Sequence, residues 1–209
     1  MFEGVGMSEA RAKKIKLVLF DVDGVLTDGS IWLFPPATGS KGGKRGLAGR
    51  EMVEVKAFHT HDGTGFLLAR LAGLQIGFVT SRESETVRLR ARDLQVEHVL
   101  QGVSDKRTAF EELLRKTGFA ADEVAFAGDD LVDLPVMLLC GLAISVPDAR
   151  EDVRSAAHYI TGRQGGHGAA RDAVEYILRA QDKLDAAKEA YLQGKMRYRS
   201  GGNSRVARP

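Results

Sequence analysis

The chain has 209 residues, 30 Lys plus Arg against 28 Asp plus Glu, one cysteine and 44% hydrophobic residues. That suits one soluble domain that buries about 70% of the surface its unfolded chain exposes. Cys140 has no second cysteine to pair with, which excludes an internal disulfide framework and a cysteine-based zinc ribbon, and reads as a small core residue. The longest uncharged apolar stretch, Leu134 to Pro147, is short of the ~18 residues a membrane span needs. No apolar leader opens the sequence, so a cytoplasmic protein without membrane contact is expected.

The net charge of +2 is unevenly placed. Lys41, Lys44, Arg45 and Arg50 lie in segment 35–50, and Lys195, Arg197, Arg199, Arg205 and Arg208 in segment 193–209, with no acid in either, so the rest of the chain carries −7. The basic segments lack interleaved aromatics apart from Tyr198, and an acidic body opposes a polyanion, so no nucleic-acid partner is expected.

In chain order, residues 1–14 are small and polar and are expected to be a flexible N-terminus. Lys16–Asp21 is a short apolar run closed by an acid. Similar runs follow at Ile76–Thr80, Val99–Leu100, Val124–Ala127 and Leu142–Val146. They are continuous rather than alternating, as strands buried on both faces are. Helical patterns separate them at Thr64–Leu74, Glu83–Leu94, Asp105–Thr117 (closed by Gly118), Leu131–Cys140 (closed by Gly141) and 168–192. Alternation of this kind predicts an α/β fold around a mainly parallel sheet. Ser30–Phe34 and Met52–Phe58 break the rhythm and predict a β-hairpin over about 30–58 with a basic, glycine-rich loop at 35–51. The body then spans 15–192, and 193–209 is a basic flexible tail.

The chemistry gathers at strand ends. Asp21-Val22-Asp23-Gly24-Val25-Leu26-Thr27-Asp28 follows the first strand directly. Carboxylates at the carboxyl end of a strand sit where α/β sheets bind ligands, and two of them two residues apart can share a Mg²⁺. Gly128-Asp129-Asp130-Leu131-Val132-Asp133 repeats the arrangement after a later strand, so both clusters can converge on one ion. Asp130 and Asp133 also suit the start of a helix, where acids cap backbone N–H groups. Thr80-Ser81-Arg82 and Lys106 lie at two further strand–helix junctions, where hydroxyl and ammonium groups can meet phosphate. His59 and His61, as alternate residues of a strand, would share a face and read first as a surface or interface pair.

The order Asp-x-Asp, Thr, Lys, Gly-Asp-Asp resembles the haloacid dehalogenase superfamily of phosphotransferases. Within it, residues 15–190 resemble the 3-deoxy-D-manno-octulosonate 8-phosphate phosphatases. The matching pieces are Asp21 to Gly29, Lys56-Ala57-Phe58, Asp62-Gly63, Gly128 to Met137, Gly165-Gly166-x-Gly168-Ala169 and Ala180-Gln181-x-Lys183-Leu184-Asp185. The resemblance implies a Rossmann-like three-layer parallel sheet without a cap domain, with the hairpin inserted after the first strand. It implies a homotetramer built through that hairpin, and a C-terminal tail that can approach a neighbouring active site.

It further implies Mg²⁺-dependent hydrolysis of a phosphorylated sugar acid through an aspartyl-phosphate, as a step of lipopolysaccharide precursor synthesis. Asp21 would be the nucleophile and Asp23 the acid and base, with Thr80 and Lys106 completing the catalytic set. Asp21, Asp129 and the backbone carbonyl of Asp23 would hold the metal, with Asp130 and Asp133 behind them. Substrate contacts would come from Asp23, Gly24, Thr80, Ser81 and Lys106, and from His59, His61, Asp62 and Gly63 at the sugar end. Arg82 and Arg90 are candidates for the sugar carboxylate, because guanidinium binds carboxylate bidentately. Ser81 in place of a glycine, Leu67 and His167 where arginine is usual, and the long hairpin loop are departures from the family. They leave a nonulosonate 9-phosphate as an alternative substrate, and a non-catalytic tetramerisation module as the reading from another class.

Overall fold

The computed structural model describes residues 3–35, 44–45 and 51–194. Most of the expected loop 35–51 and the tail from 195 onward lie outside the described residues. The chain opens with helix α1 (Glu3–Ala12), where the sequence suggests fraying. Docking explains the difference. The Ser8 hydroxyl lies 2.7 Å from the Tyr176 hydroxyl, Arg11 donates to the Gly141 carbonyl (2.8 Å), and Ala12 and Ile15 are buried.

Strand β1 (Leu17–Phe20) is buried at every residue. Next come β2 (Trp32–Phe34), β3 (Lys44–Arg45) and β4 (Glu51–Val55), a separate antiparallel sheet in the order β2-β4-β3. Its register pairs Trp32 with Val55 and Phe34 with Val53. The expected hairpin is present, with shorter strands. Helix α2 (Thr60–Leu71), β5 (Gln75–Val79), α3 (Glu85–Asp93), β6 (His98–Leu100), α4 (Lys106–Thr117) and β7 (Val124–Gly128) follow. Local chemistry sets the helix ends: Ser84 caps α3, Asp105 caps α4, and Gly118 closes α4 in the left-handed conformation.

Leu131–Cys140 is not one helix. A 3₁₀ turn at Leu131–Asp133 leads into a single turn, α5 (Leu134–Met137), with Pro135 near its start. Then come β8 (Leu142–Ser145), α6 (Glu151–Ala156), β9 (Tyr159–Ile160), α7 (Ala169–Ala180) and α8 (Leu184–Leu192). The long helix expected over 168–192 is therefore two, broken where Asp182 takes φ 55°.

The main sheet is wholly parallel, in the order β6-β5-β1-β7-β8-β9. The chain moves outward from β1 to β5 and β6, then returns to β7 on the other side of β1. With right-handed crossovers, α2 and α3 cover one face and α4 to α6 the other. Helices α7 and α8 pack with α2, and α1 packs on α7. The reversal beside β1 is a topological switch point, and ligands bind outside the carboxyl ends of the strands there.

Under α2 the core is aromatic. Phe66, 1% exposed, lies 5.3 Å from the Phe20 ring and 5.7 Å from Phe78, centre to centre. Phe66→Ala leaves a cavity between α2 and the two central strands, and its expected cost is about 3–5 kcal/mol. Urea denaturation measures this; a loss below about 1 kcal/mol would mean that the site collapses freely.

Candidate active site

Asp21 leaves β1 with its backbone N–H still bonded to the Ala127 carbonyl (2.9 Å). The chain then turns tightly, with Leu26 and Thr27 both donating to the Val22 carbonyl. Gly24 makes this turn possible. Its φ is +107°, and a Cβ there would run into the Asp129 carboxylate. The loop Gly165–Gly168 braces the turn from outside, where Gly166 N–H bonds to the Val25 carbonyl (3.0 Å). A Cβ on Gly165 would strike the Gly24 carbonyl.

Lys106, the first residue of α4, is 4% exposed. It donates to Asp21 Oδ1 (2.7 Å) and to Asp133 Oδ1 (2.6 Å). Asp133 is fully buried, and its Oδ2 accepts the N–H groups of Asp129 (3.0 Å) and Asp130 (3.2 Å). One lysine thus ties β1, α4 and the turn after β7 together. Burial pulls the Lys106 ammonium down, but Asp21 and Asp133 more than offset this and leave it raised.

The lysine does not neutralise the site. Asp21, Asp129 and Asp133 bring carboxylate oxygens within 4.8 Å of one another. Burial and then Asp133 push Asp21 up to about 6, and burial and then Asp21 push Asp129 up to about 8. Asp129 Oδ1 is buried without a protein hydrogen-bond partner. An oxygen-only cluster with surplus negative charge fits a hard divalent cation. Both oxygens of Asp133 are already engaged, so Asp21 and Asp129 are the side chains open to one.

The profile of the haloacid dehalogenase-like hydrolases matches residues 94–171. The 3-deoxy-D-manno-octulosonate 8-phosphate phosphatase of Escherichia coli K12 is 38% identical over 86% of this chain and 87% of its own. The phosphatase of that name from Moraxella catarrhalis, solved with magnesium, phosphate and KDO, superposes with a TM-score of 0.77 at 36% identity, covering 88% of this chain and 97% of that one. The Yersinia pestis phosphatase gives 0.75 at 37% identity, over 86% and 89%. This chain belongs to the 3-deoxy-D-manno-octulosonate 8-phosphate phosphatase family.

The structure of this family member places the remaining predicted residues in three groups. Thr80 is buried at the end of β5, beside the end of β1, and its hydroxyl accepts the Arg82 N–H (3.2 Å). Ser81 is exposed next to it. Arg82 reaches Glu54 (3.3 Å) and Asp23 Oδ2 (3.8 Å), so it enters the site. His59 and His61 do not lie on a strand: His59 caps α2, its Nδ1 accepting the His61 N–H (3.3 Å). Their rings meet edge to face beside Gly168.

Asp62, Gly63 and Arg90 are not brought to the carboxylate cluster. Asp62 is buried, and its Oδ1 accepts the Arg171 N–H (2.9 Å) at the start of α7, whose own cap, Gly168, has no side chain. Gly63 lets α2 approach Leu94 and Arg90. Arg90 pairs with Asp93 (3.1 Å) and lies over the Phe58 ring. Leu67, also buried, lines with Arg90 and Tyr191 a cavity of about 320 Å³ between α2, α3 and α8. His167 is exposed, 2.7 Å from the Gly165 carbonyl.

Sequence reasoning assigned no role to Glu54 or Lys56. Lys56 pairs with Asp23 and lies 3.5 Å from Glu54. An acid and a base two apart, alternating with Val53 and Val55, is a two-faced strand signal that could have found them.

Burial raises Asp62 from 3.8 to about 6, opposed by the Arg171 N–H and Arg90. The folded state thus holds this proton more tightly than the unfolded chain. Its contribution is complete below about pH 4 and is lost as pH rises through about 6. Asp62→Asn keeps the acceptor and removes the charge. Relative to wild type, the variant is expected to gain about 2 kcal/mol of stability between pH 4 and pH 7. Urea titrations at both pH values check this, and a difference independent of pH would refute it.

Proposed function

We propose that this chain is a cytoplasmic Mg²⁺-dependent phosphatase that hydrolyses 3-deoxy-D-manno-octulosonate 8-phosphate to the free sugar acid and phosphate. The observation that carries this reading is Lys106 clamped between Asp21 and Asp133 beside Asp129, in a chain 38% identical to a curated phosphatase of that activity. A cytoplasmic setting also keeps an unpaired buried thiol such as Cys140 reduced.

Asp21 attacks phosphorus in line, and the bond to the sugar oxygen breaks as an aspartyl-phosphate forms. Asp23 gives its proton to the leaving alcohol. It then takes a proton from water, whose oxygen attacks phosphorus and releases phosphate with regeneration of Asp21. Lys106, the Thr80 hydroxyl and backbone N–H groups near Gly24 stabilise charge on the transferring group. A Mg²⁺ held by Asp21, Asp129 and the Asp23 carbonyl would offset the repulsion between carboxylate and phosphate. Arg82, partly exposed beside Asp23, is assigned to the sugar carboxylate, with His59 and His61 on the rim.

Asp21→Asn is expected to lower phosphate release by at least about 10³-fold with the melting temperature unchanged or higher. Substantial Mg²⁺-dependent turnover by this variant would overturn the nucleophile assignment. For wild type, release from 3-deoxy-D-manno-octulosonate 8-phosphate should exceed that from nonulosonate 9-phosphates and stop in EDTA. The reverse preference would move the assignment to the longer sugar.

We further propose a homotetramer formed through the β2–β4 sheet. Trp32, Leu33, Phe34, Val53 and Val55 expose 42–57% of their surface there, and the Trp32 and Phe34 rings stack at 6.4 Å. An apolar face of this kind on a soluble protein favours a partner surface. In light scattering, Trp32→Glu should convert four-copy particles into smaller ones. An unchanged mass would place the interface elsewhere.

A further inference from the structure

We propose that Lys56 is a positioning residue for the first chemical step: it holds one oxygen of Asp23 so that the other faces the leaving group. The inference rests on the reading of Asp23 as the proton donor. It starts from the strand that leaves the hairpin. Val53 and Val55 point outward, while Glu54 and Lys56 point toward the end of β1. The Lys56 side chain is 0% exposed, the more notable because lysine is among the residues least often buried. An ammonium so placed requires anionic partners. They are Asp23 Oδ1 and, at 3.5 Å, Glu54 Oε1. Arg82 closes the set, 3.3 Å from Glu54 Oε2 and 3.8 Å from Asp23 Oδ2. Two acids and two bases alternate, so Glu54 remains an anionic partner for Lys56 when Asp23 carries the proton it donates.

The set has a mechanical consequence. The Thr86 hydroxyl donates to the Glu54 carbonyl (3.4 Å), which pins the strand end to α3. Glu54 then backs Lys56, and Lys56 fixes Asp23 through Oδ1. Asp23 sits in a turn of its own, beside Gly24, with Lys56 on Oδ1 and Arg82 near Oδ2, so the pair of cations fixes the plane of its carboxylate. Proton donation needs the donor within hydrogen-bond reach of the leaving oxygen, and small misplacements are costly.

A lysine that merely tethered the hairpin would slow every substrate equally. A lysine that aims the proton donor matters only where the leaving group needs a proton. Rapid-quench measurement of aspartyl-phosphate formation separates the two, with the sugar phosphate as alkyl substrate and p-nitrophenyl phosphate as one whose leaving group needs none. Lys56→Met is expected to slow the alkyl reaction about 10–100-fold and the aryl reaction less than about 3-fold, with Lys56→Arg within about 5-fold of wild type on both. Equal losses on both substrates, or no loss, at an unchanged melting temperature and particle mass would overturn the proposal. If Lys56→Met does not fold, Glu54→Gln carries the same comparison with the same outcomes. Asp23→Asn is the reference. If it discriminates between the substrates and the Lys56 and Glu54 variants do not, positioning fails alone. If it does not discriminate, the proton-donor reading fails and this proposal with it.

Discussion

The site depends on one buried ammonium between two carboxylates. Lys106 joins Asp21, at the end of β1, to Asp133, in the turn after β7. Without a cation between them, two carboxylates at the ends of adjacent strands would repel at low dielectric. Asp133 uses its other oxygen to hold the Asp129 and Asp130 N–H groups, so the same lysine indirectly sets the Gly128–Asp130 turn. Asp129 is the member left over. Its raised proton affinity and its buried, unpartnered oxygen mark the place where the protein supplies charge for a metal instead of neutralising it.

Glycine carries the steric side of this constraint. Asp129 comes close to the Asp21–Asp23 loop only because Gly24 has no Cβ, and Gly165 makes the same concession to the Gly24 carbonyl. A substitution at either position would displace backbone or a carboxylate at the centre of the chemistry. Their role is to let three segments, far apart in sequence, meet within hydrogen-bonding distance.

The small antiparallel sheet reaches the loop after β1. One face of β4 presents Val53 and Val55 outward, and its alternation carries Glu54 and Lys56 inward to Asp23. A shift of one residue in register would exchange these faces, exposing the lysine and driving valine against the acid. The pairing of Trp32 with Val55 and Phe34 with Val53 fixes that register. The seating of the hairpin therefore decides what stands beside the Asp21–Asp23 loop.

Sequence alone determined the parallel α/β core, because buried strands read as continuous apolar runs and each ends in a polar group at the edge where ligands bind. It also placed Asp21, Thr80, Lys106 and Asp129 at strand ends, and the fold brings Lys106 and Asp129 to Asp21. Tertiary structure decided what periodicity cannot express. Fraying of 1–14 gave way to a helix because Ser8 and Arg11 find partners some 170 and 130 residues away. Asp62 looked like a substrate contact and became the cap of a distant helix, because Gly168 offers no side chain of its own. Lys56 lay in a stretch matching the family, but sequence reasoning assigned it no role. Its meaning comes from Asp23, 33 residues earlier, and a charge is understood only once its partner is in place.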